Sequence, residues 1–332
     1  MTKLILLAAL ASMSATAQDL PARSNWAVAR SGDQVFAFYG LGQGKTYADI
    51  AHDVHAYDLK SQQWRKAGAI PVDQGRLASV ALTVAGKVYL IGGYTVSAKG
   101  EEVSTPEVFR YAPDTGRFDI ETTMPVPVDD TVAMPWRDRW IVLVSGWHDK
   151  GNVADVQIYD TQTRQWANGT PWPGKPVFGH AGGLAQDRMV LCDGVTSSKG
   201  PEGKNQFAIS KECWEGGLDP AQPGRISWRQ LPPHPGAPLY RAGAVGDGQR
   251  VVFAGGSSRA YNYNGIGYDK LPAEPSAAVF SFANGAWHAH KPLPEAGMDF
   301  RGLIPVEGGY ALFGGMRSGQ RVSGNVIYFK VE

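Results

Sequence analysis

The 332-residue chain is poor in the motifs that most often announce a chemistry. It has two cysteines, no Cys-x-x-Cys, no His-x-x-x-His and no EF-hand loop, so the common metal-binding patterns are missing. It has no Gly-x-Ser-x-Gly elbow of the hydrolase type. Charge of either sign is not in excess: 32 basic and 31 acidic residues leave a formal net charge of +1. No basic stripe alternates with aromatics, and nucleic acid is not expected as a partner. No apolar run is long enough to span a bilayer. The one greasy segment, Leu4 to Ala11, follows Lys3 and precedes the small-x-small sequence Ala15-Thr16-Ala17. That pattern reads as a signal peptide over residues 1–17, leaving a mature chain of residues 18–332 that is periplasmic or secreted and free of the membrane after cleavage. No cysteine lies near the cut to carry a lipid. In an oxidising compartment the even pair Cys192 and Cys213 reads as a disulfide, with two buried thiols as the alternative.

What the chain has in abundance is turn chemistry, 41 Gly and 22 Pro, arranged in a unit that recurs about six times. Each copy has a β-rich run ending at a glycine mark: Gly40, Gly92-Gly93, Gly146, Gly194, Gly255-Gly256 and Gly314-Gly315. A variable loop and an apolar strand follow, and then an aromatic, Trp64, Phe118, Trp166, Trp228 or Trp287. An offset of roughly 50 to 60 residues fits kelch-type propeller blades of four antiparallel strands. The expected fold is therefore all-β, a single six-bladed kelch-type propeller over residues 18–332. The sixth unit ends after Val326 to Phe329 and lacks a fourth strand. A bare edge invites pairing, so the segment Asp19 to Arg23 is expected to close the ring on the last blade. The aromatics are expected between blades, and the glycine pairs where backbones crowd.

The first strand of a blade lines the central channel. Counting back from the glycine marks places Arg76 (16 residues before Gly92), Asp130 (16 before Gly146), His180 (14 before Gly194), Arg241 (14 before Gly255) and Arg301 (13 before Gly314) at one position of five blades. Asn25 or Trp26 takes that place in the first, and Asp129 and Asp299 stand alongside. Charged groups held at a converging centre need partners. Three arginines with a histidine and aspartates favour an anion, with Asp and His able to relay protons. A self-satisfied salt-bridge network is the alternative. The fifth unit's loop, with Arg259, Tyr261, Tyr263 and Tyr268, suits sugar hydroxyls and ring faces. Trp147-His148-Asp149-Lys150 of the third unit lies on the same face.

The last two units resemble the bacterial N-acetylneuraminate epimerases, or sialic acid mutarotases. The resemblance rests on Phe253-Ala254-Gly255-Gly256, Ser258-Arg259, Asn264-Gly265 and Tyr268. Gly285-Ala286-Trp287, the Arg301 strand into Gly314-Gly315, and Gly179-His180 add to it. It implies a six-bladed periplasmic enzyme that uses no cofactor and no metal and exchanges sugar anomers by acid/base ring opening. On that reading Arg76, Arg241 and Arg301 clamp the carboxylate of a small acidic sugar or glycan. His180 with Asp130 or Asp299 then moves protons, Tyr261, Tyr263 and Tyr268 form the wall, and a homodimer is compatible. One position departs: where the family's pattern has an acidic residue after an Asn-Gly, this chain has Asp193-Gly194-Val195. The competing expectation is a propeller that binds carbohydrate or protein without catalysis.

Overall fold

The computed structural model describes residues 21–332. Five antiparallel four-stranded sheets and one three-stranded sheet form the six blades of a propeller. Blade 1 holds Ala27–Ser31, Gln34–Phe38, Asp53–Asp58 and Gln63–Ala69, and blade 2 holds Val80–Val84, Lys87–Ile91, Glu107–Ala112 and Arg117–Thr123. Blade 3 holds Val132–Trp136, Trp140–Val144, Val156–Asp160 and Gln165–Asn168, and blade 4 holds Ala181–Ala185, Arg188–Cys192, Cys213–Leu218 and Ile226–Leu231. Blade 5 has Gly243–Gly246, Val251–Ala254, Val279–Ala283 and Ala286–Ala289, and blade 6 has Ile304–Val306, Gly309–Phe313 and Val326–Phe329. Among the described residues, no helix is long and apolar enough to cross a membrane.

The second strand of each blade is buried on both sides, because neighbouring blades cover both of its faces. Val88 to Ile91, Ile141 to Val144 and Val251 to Ala254 are accordingly apolar throughout, where a one-sided sheet would alternate. The closing aromatics tie each blade to the one before it. Trp166 donates to Thr122 Oγ1 of blade 2, Trp228 to the Thr170 carbonyl after blade 3, and Trp287 to the Pro232 carbonyl after blade 4. Trp64 packs edge-on against Phe313 of blade 6.

That last contact belongs to the seam where the chain closes on itself. Blades 6 and 1 share a core that includes Trp26, Tyr57, Trp64, Ile304 and Phe313. Trp26 Nε1 donates to the Phe313 carbonyl, and Tyr328 donates to Tyr57 across 3.0 Å. The expected fourth strand of blade 6 over Asp19 to Arg23 is not seen in the part that is described. Arg23 instead exchanges backbone hydrogen bonds with Ser323 and Gly315, at the inner end of the blade and away from the outer edge of Val326–Phe329. Asp19 and Leu20 lie outside the described residues.

Each second strand ends at a doublet whose two residues both have positive φ: Tyr39-Gly40, Gly92-Gly93, Ser145-Gly146, Asp193-Gly194, Gly255-Gly256 and Gly314-Gly315. At the second position no side chain fits. A Cβ on Gly93 would lie 2.1 Å from Ser79 Oγ, and one on Gly315 would lie 2.6 Å from the Met298 carbonyl. The doublet turns the chain into a loop on one face of the disc. Four of these loops carry a hairpin: Tyr94–Val96 with Glu102–Ser104, Trp147–His148 with Gly151–Asn152, Val195–Lys199 with Asn205–Ile209, and Met316–Arg317 with Arg321–Val322. They build the walls of the site.

Candidate functional site

Just before its first strand, each blade places one residue in the left-handed region: Asn25, Ala78, Asp130, Gly179, Arg241 and Asp299. These six lie side by side around the axis and are linked through hydrogen bonds. The amide of Asn25 donates to the Asp299 carbonyl, Asp130 to Ala78, Gly179 to Asp130, Arg241 to Gly179, and Phe300 to Arg241. The sixth joint is made by a side chain: the Ala78 amide donates to Asn25 Oδ1. This hydrogen-bonded ring is the true register of the blades. Asp130 and Arg241 stand where the sequence places them, whereas Arg76 lies two residues before the ring position, His180 one after it and Arg301 two after it.

The ring closes the channel with charge. Arg241 reaches Asp130 at 2.6 Å and Asp299 at 3.2 Å. Arg301 pairs with Asp130, approaches Asp299 at 3.7 Å and donates to Asn25 Oδ1. Asn25 Nδ2 donates to Asp299. The side chains of both arginines and both aspartates are at most 4% exposed, so each charge depends on its partner for solvation. Burial alone would raise the Asp130 carboxyl, but the guanidinium groups of Arg241 and Arg301 outweigh it and hold the group below its ordinary range. On the far side of this plug the channel continues as a largely apolar cavity of about 220 Å³ between the first strands.

The other expected residues disperse. Arg76 pairs with Glu107 at 2.8 Å and lies over the rings of Tyr39 and Phe109, between blades 1 and 2. His180 is buried beside Trp172, where blades 3 and 4 meet, and burial lowers its imidazole to about 4. Its counterpart in blade 1 is Trp26, which makes the inter-blade bond at the seam. Arg259 pairs with Asp269 on the surface. Tyr261 is fully buried under Tyr240, with its ring 5.3 Å from the Arg241 guanidinium. Tyr263 packs, partly buried, on the same cluster. Cys192 and Cys213 face each other on the second and third strands of blade 4 and are joined in a disulfide.

The plug also forms the floor of a pocket of about 290 Å³ on the loop face. Asp129, Asp130 and Arg241 lie at its base, Tyr94, Trp147, Phe178, Phe207 and Tyr268 form apolar walls, and Glu102, Asp149, Asn205 and Asn262 complete the lining. Of the expected site residues, Asp130, Arg241 and Tyr268 line it; the remainder do not. Tyr268 stacks on Phe207 with ring centroids 4.0 Å apart.

Asp129, which the sequence places only alongside the ring position, has the more distinctive surroundings. The residue preceding each ring position is Ser24, Leu77, Asp129, Phe178, Tyr240 or Met298. Leu77, Phe178, Tyr240 and Met298 belong to one apolar cluster capping the ring, so blade 3 puts a carboxyl where four of the other five blades put hydrocarbon. Asp129 is 3% exposed. Burial first, and the neighbouring Asp130 second, push its carboxyl well above the ordinary range. Ser104 donates to Oδ2 at 2.6 Å, and Oδ1 has no hydrogen-bond partner among the described residues. Ser104 also accepts from the Asp149 amide, coupling the blade 2 and blade 3 hairpins. Glu102, two residues earlier on the same hairpin, is exposed as a residue, yet its carboxyl is raised by loss of hydration at the pocket mouth. The missed signal is in the spacing. Every ring residue lies 15 or 16 positions before the second glycine of its doublet, and that count puts an acid at an apolar position only in blade 3.

No protein-family model matches the chain. The chain has kelch-repeat relatives. N-acetylneuraminate epimerase 1 of Escherichia coli O6:H1 is 24% identical over 311 residues, covering 90% of this chain and 73% of that protein. Kelch-like protein 36 of mouse is 22% identical over 185 residues, and the match spans 55% of this chain and 30% of the length of that relative. A solved structure, "Structure of YjhT", superposes with a TM-score of 0.75 at 16% identity, over 94% of this chain and 95% of that one. Kelch-type architecture therefore extends over the whole described propeller.

Proposed function

We propose that the loop-face pocket binds a sugar and interconverts its anomers, a mutarotase-type activity. The observation that carries this reading is Asp129, a carboxyl at the pocket floor that burial raises well above its ordinary range and that bonds only Ser104 among the described residues. Ring opening requires a base to take the anomeric hydroxyl proton while an acid protonates the ring oxygen. Glu102 is the base and Asp129 the acid. As the C1–O5 bond breaks, its electrons go to O5, which takes the Asp129 proton, and C1=O forms. Rotation about C1–C2 and the reverse transfers close the other anomer, with no net change in protons. A relative called an N-acetylneuraminate epimerase, matched over 90% of this chain, supports the same class of activity.

The carboxylate clamp expected from Arg76, Arg241 and Arg301 does not support an acidic substrate. Arg76 is away from the pocket, and the other two are committed to Asp130 and Asp299. His180 and Asp299 do not line the pocket, and Asp130, which does, is held by Arg241 and Arg301. Saturation-transfer NMR of anomer exchange tests the activity. Asp129→Asn should lower the rate by about 10²- to 10⁴-fold, and an unchanged rate would remove Asp129 from the mechanism. Val195, fully buried in the apolar cluster where the resemblance puts an acid, favours a second reading, a sugar- or protein-binding propeller without catalysis. Export to the periplasm or the medium is proposed from the Lys3 to Ala17 pattern, and fractionation with N-terminal sequencing checks it.

A further inference from the structure

Resting on the sugar-binding reading above, we infer that the pocket selects an uncharged sugar and discriminates against its acidic counterpart. Among the described residues, the one cationic group lining the pocket is Arg241, which already holds Asp130 at 2.6 Å and Asp299 at 3.2 Å. A ligand carboxylate that took this guanidinium would leave two buried aspartates short of a counter-charge. The carboxyl groups of the lining, Glu102, Asp129, Asp130 and Asp149, outnumber the guanidinium four to one.

The carboxylates of Glu102 and Asp149 accept hydrogen bonds from sugar hydroxyls and repel a ligand carboxylate, and Asp129 can bond a hydroxyl in either role. Asp129 lines this space, is 3% exposed, and uses only Oδ2 to accept from Ser104 among the described residues, leaving Oδ1 to a ligand hydroxyl. The walls agree with the assignment. Trp147, Phe207 and Tyr268 offer apolar surface to the C–H face of a pyranose, and the Asn205 and Asn262 amides can bond its hydroxyls. At about 290 Å³ the pocket is at the small end for ligand sites, so one ring unit is the expected occupant.

The test uses matched sugars that differ only at C6: glucose against glucuronate, galactose against galacturonate and mannose against mannuronate, with N-acetylneuraminate alongside. Binding to the whole protein at pH 7 is followed by saturation-transfer difference NMR and by tryptophan fluorescence. At least one neutral hexose should bind ten-fold or more tighter than its acid. Glu102→Gln, and separately Asp149→Asn, should narrow that ratio by improving the acid's binding. Equal or tighter binding of the acids or of N-acetylneuraminate overturns the inference, and leaves the mutarotase reading intact if exchange of those sugars is accelerated. Neutral-sugar binding without accelerated exchange sustains the inference and removes the catalytic reading. Binding of no sugar in the panel overturns both.

Discussion

At the scale of single residues, the same side-chain chemistry takes opposite roles according to its neighbours. Asp129 and Asp130 are adjacent, yet burial against hydrocarbon raises one carboxyl while two guanidinium groups lower the other. A carboxyl raised in the folded state adds stability that is present at low pH and is lost as pH rises through its folded value. Asp129→Asn removes that term, so the variant should gain stability over the parent as pH rises from about 4; paired thermal melts across pH measure this. His180 works in the other direction. Its ring is held down to about 4 against an ordinary 6.5, so the unfolded chain binds the proton first and stability falls as pH drops from 6.5 toward 4. The full effect is about 3 kcal/mol. His180→Phe, the residue that blade 6 has at the equivalent position, should flatten that acid limb, and an unchanged limb would show that His180 is not its source. The sequence showed that these groups were titratable and near the axis. It did not show which were paired, because pairing depends on contacts between blades more than a hundred positions apart, as in Arg241 with Asp130.

At the scale of elements, the strands were legible because their patterns are local: apolar runs into a glycine mark, turn residues, a closing aromatic. The hairpins after the second strands of blades 2 and 4 read as polar loops, though they supply Glu102, Asn205 and Phe207 to the pocket beside Trp147 and Asp149 of the third. Blade 4 carries the longest of these hairpins, Val195–Lys199 with Asn205–Ile209, and the Cys192–Cys213 bond closes its base. The bond spans 21 residues in sequence, and a loop of that length implies about 3 kcal/mol from restriction of the unfolded chain. Cys192→Ala with Cys213→Ala should lower the unfolding free energy by a corresponding amount in denaturant titrations. If instead the double variant loses sugar binding without losing stability, the bond serves the hairpin and not the blade.

At the scale of the whole molecule, six blades and their kelch-type register were within reach of the sequence, since a repeat supplies its own alignment. The mode of closure was not. A missing fourth strand in blade 6 suggested an N-terminal supplement, whereas the described chain closes through aromatic packing across the seam and through Arg23 at the inner end. Removing residues 18–24 should still lower the melting temperature, because Arg23 and Ser24 would lose their bonds to Gly315, Ser323 and Leu41; an unchanged value would sink any role for this segment in closure. The plug acts across the disc. Asp130→Ala leaves both arginines short of a buried partner and should cost about 3–5 kcal/mol, measured by equilibrium unfolding.

A hoop fails at its weakest joint. Five of the six joints around the axis are bonds between main-chain atoms, which no substitution short of proline can remove, and the sixth depends on one amide side chain, Asn25. That residue receives the Ala78 amide and the Arg301 guanidinium on its oxygen while its nitrogen holds Asp299. An apolar side chain in its place would give up all three contacts, and with the first of them the joint between blades 1 and 2. The disc would then part between its first two blades, and the loop-face pocket, whose Tyr94 and Glu102 come from blade 2, would lose one wall before the rest of the molecule unfolded.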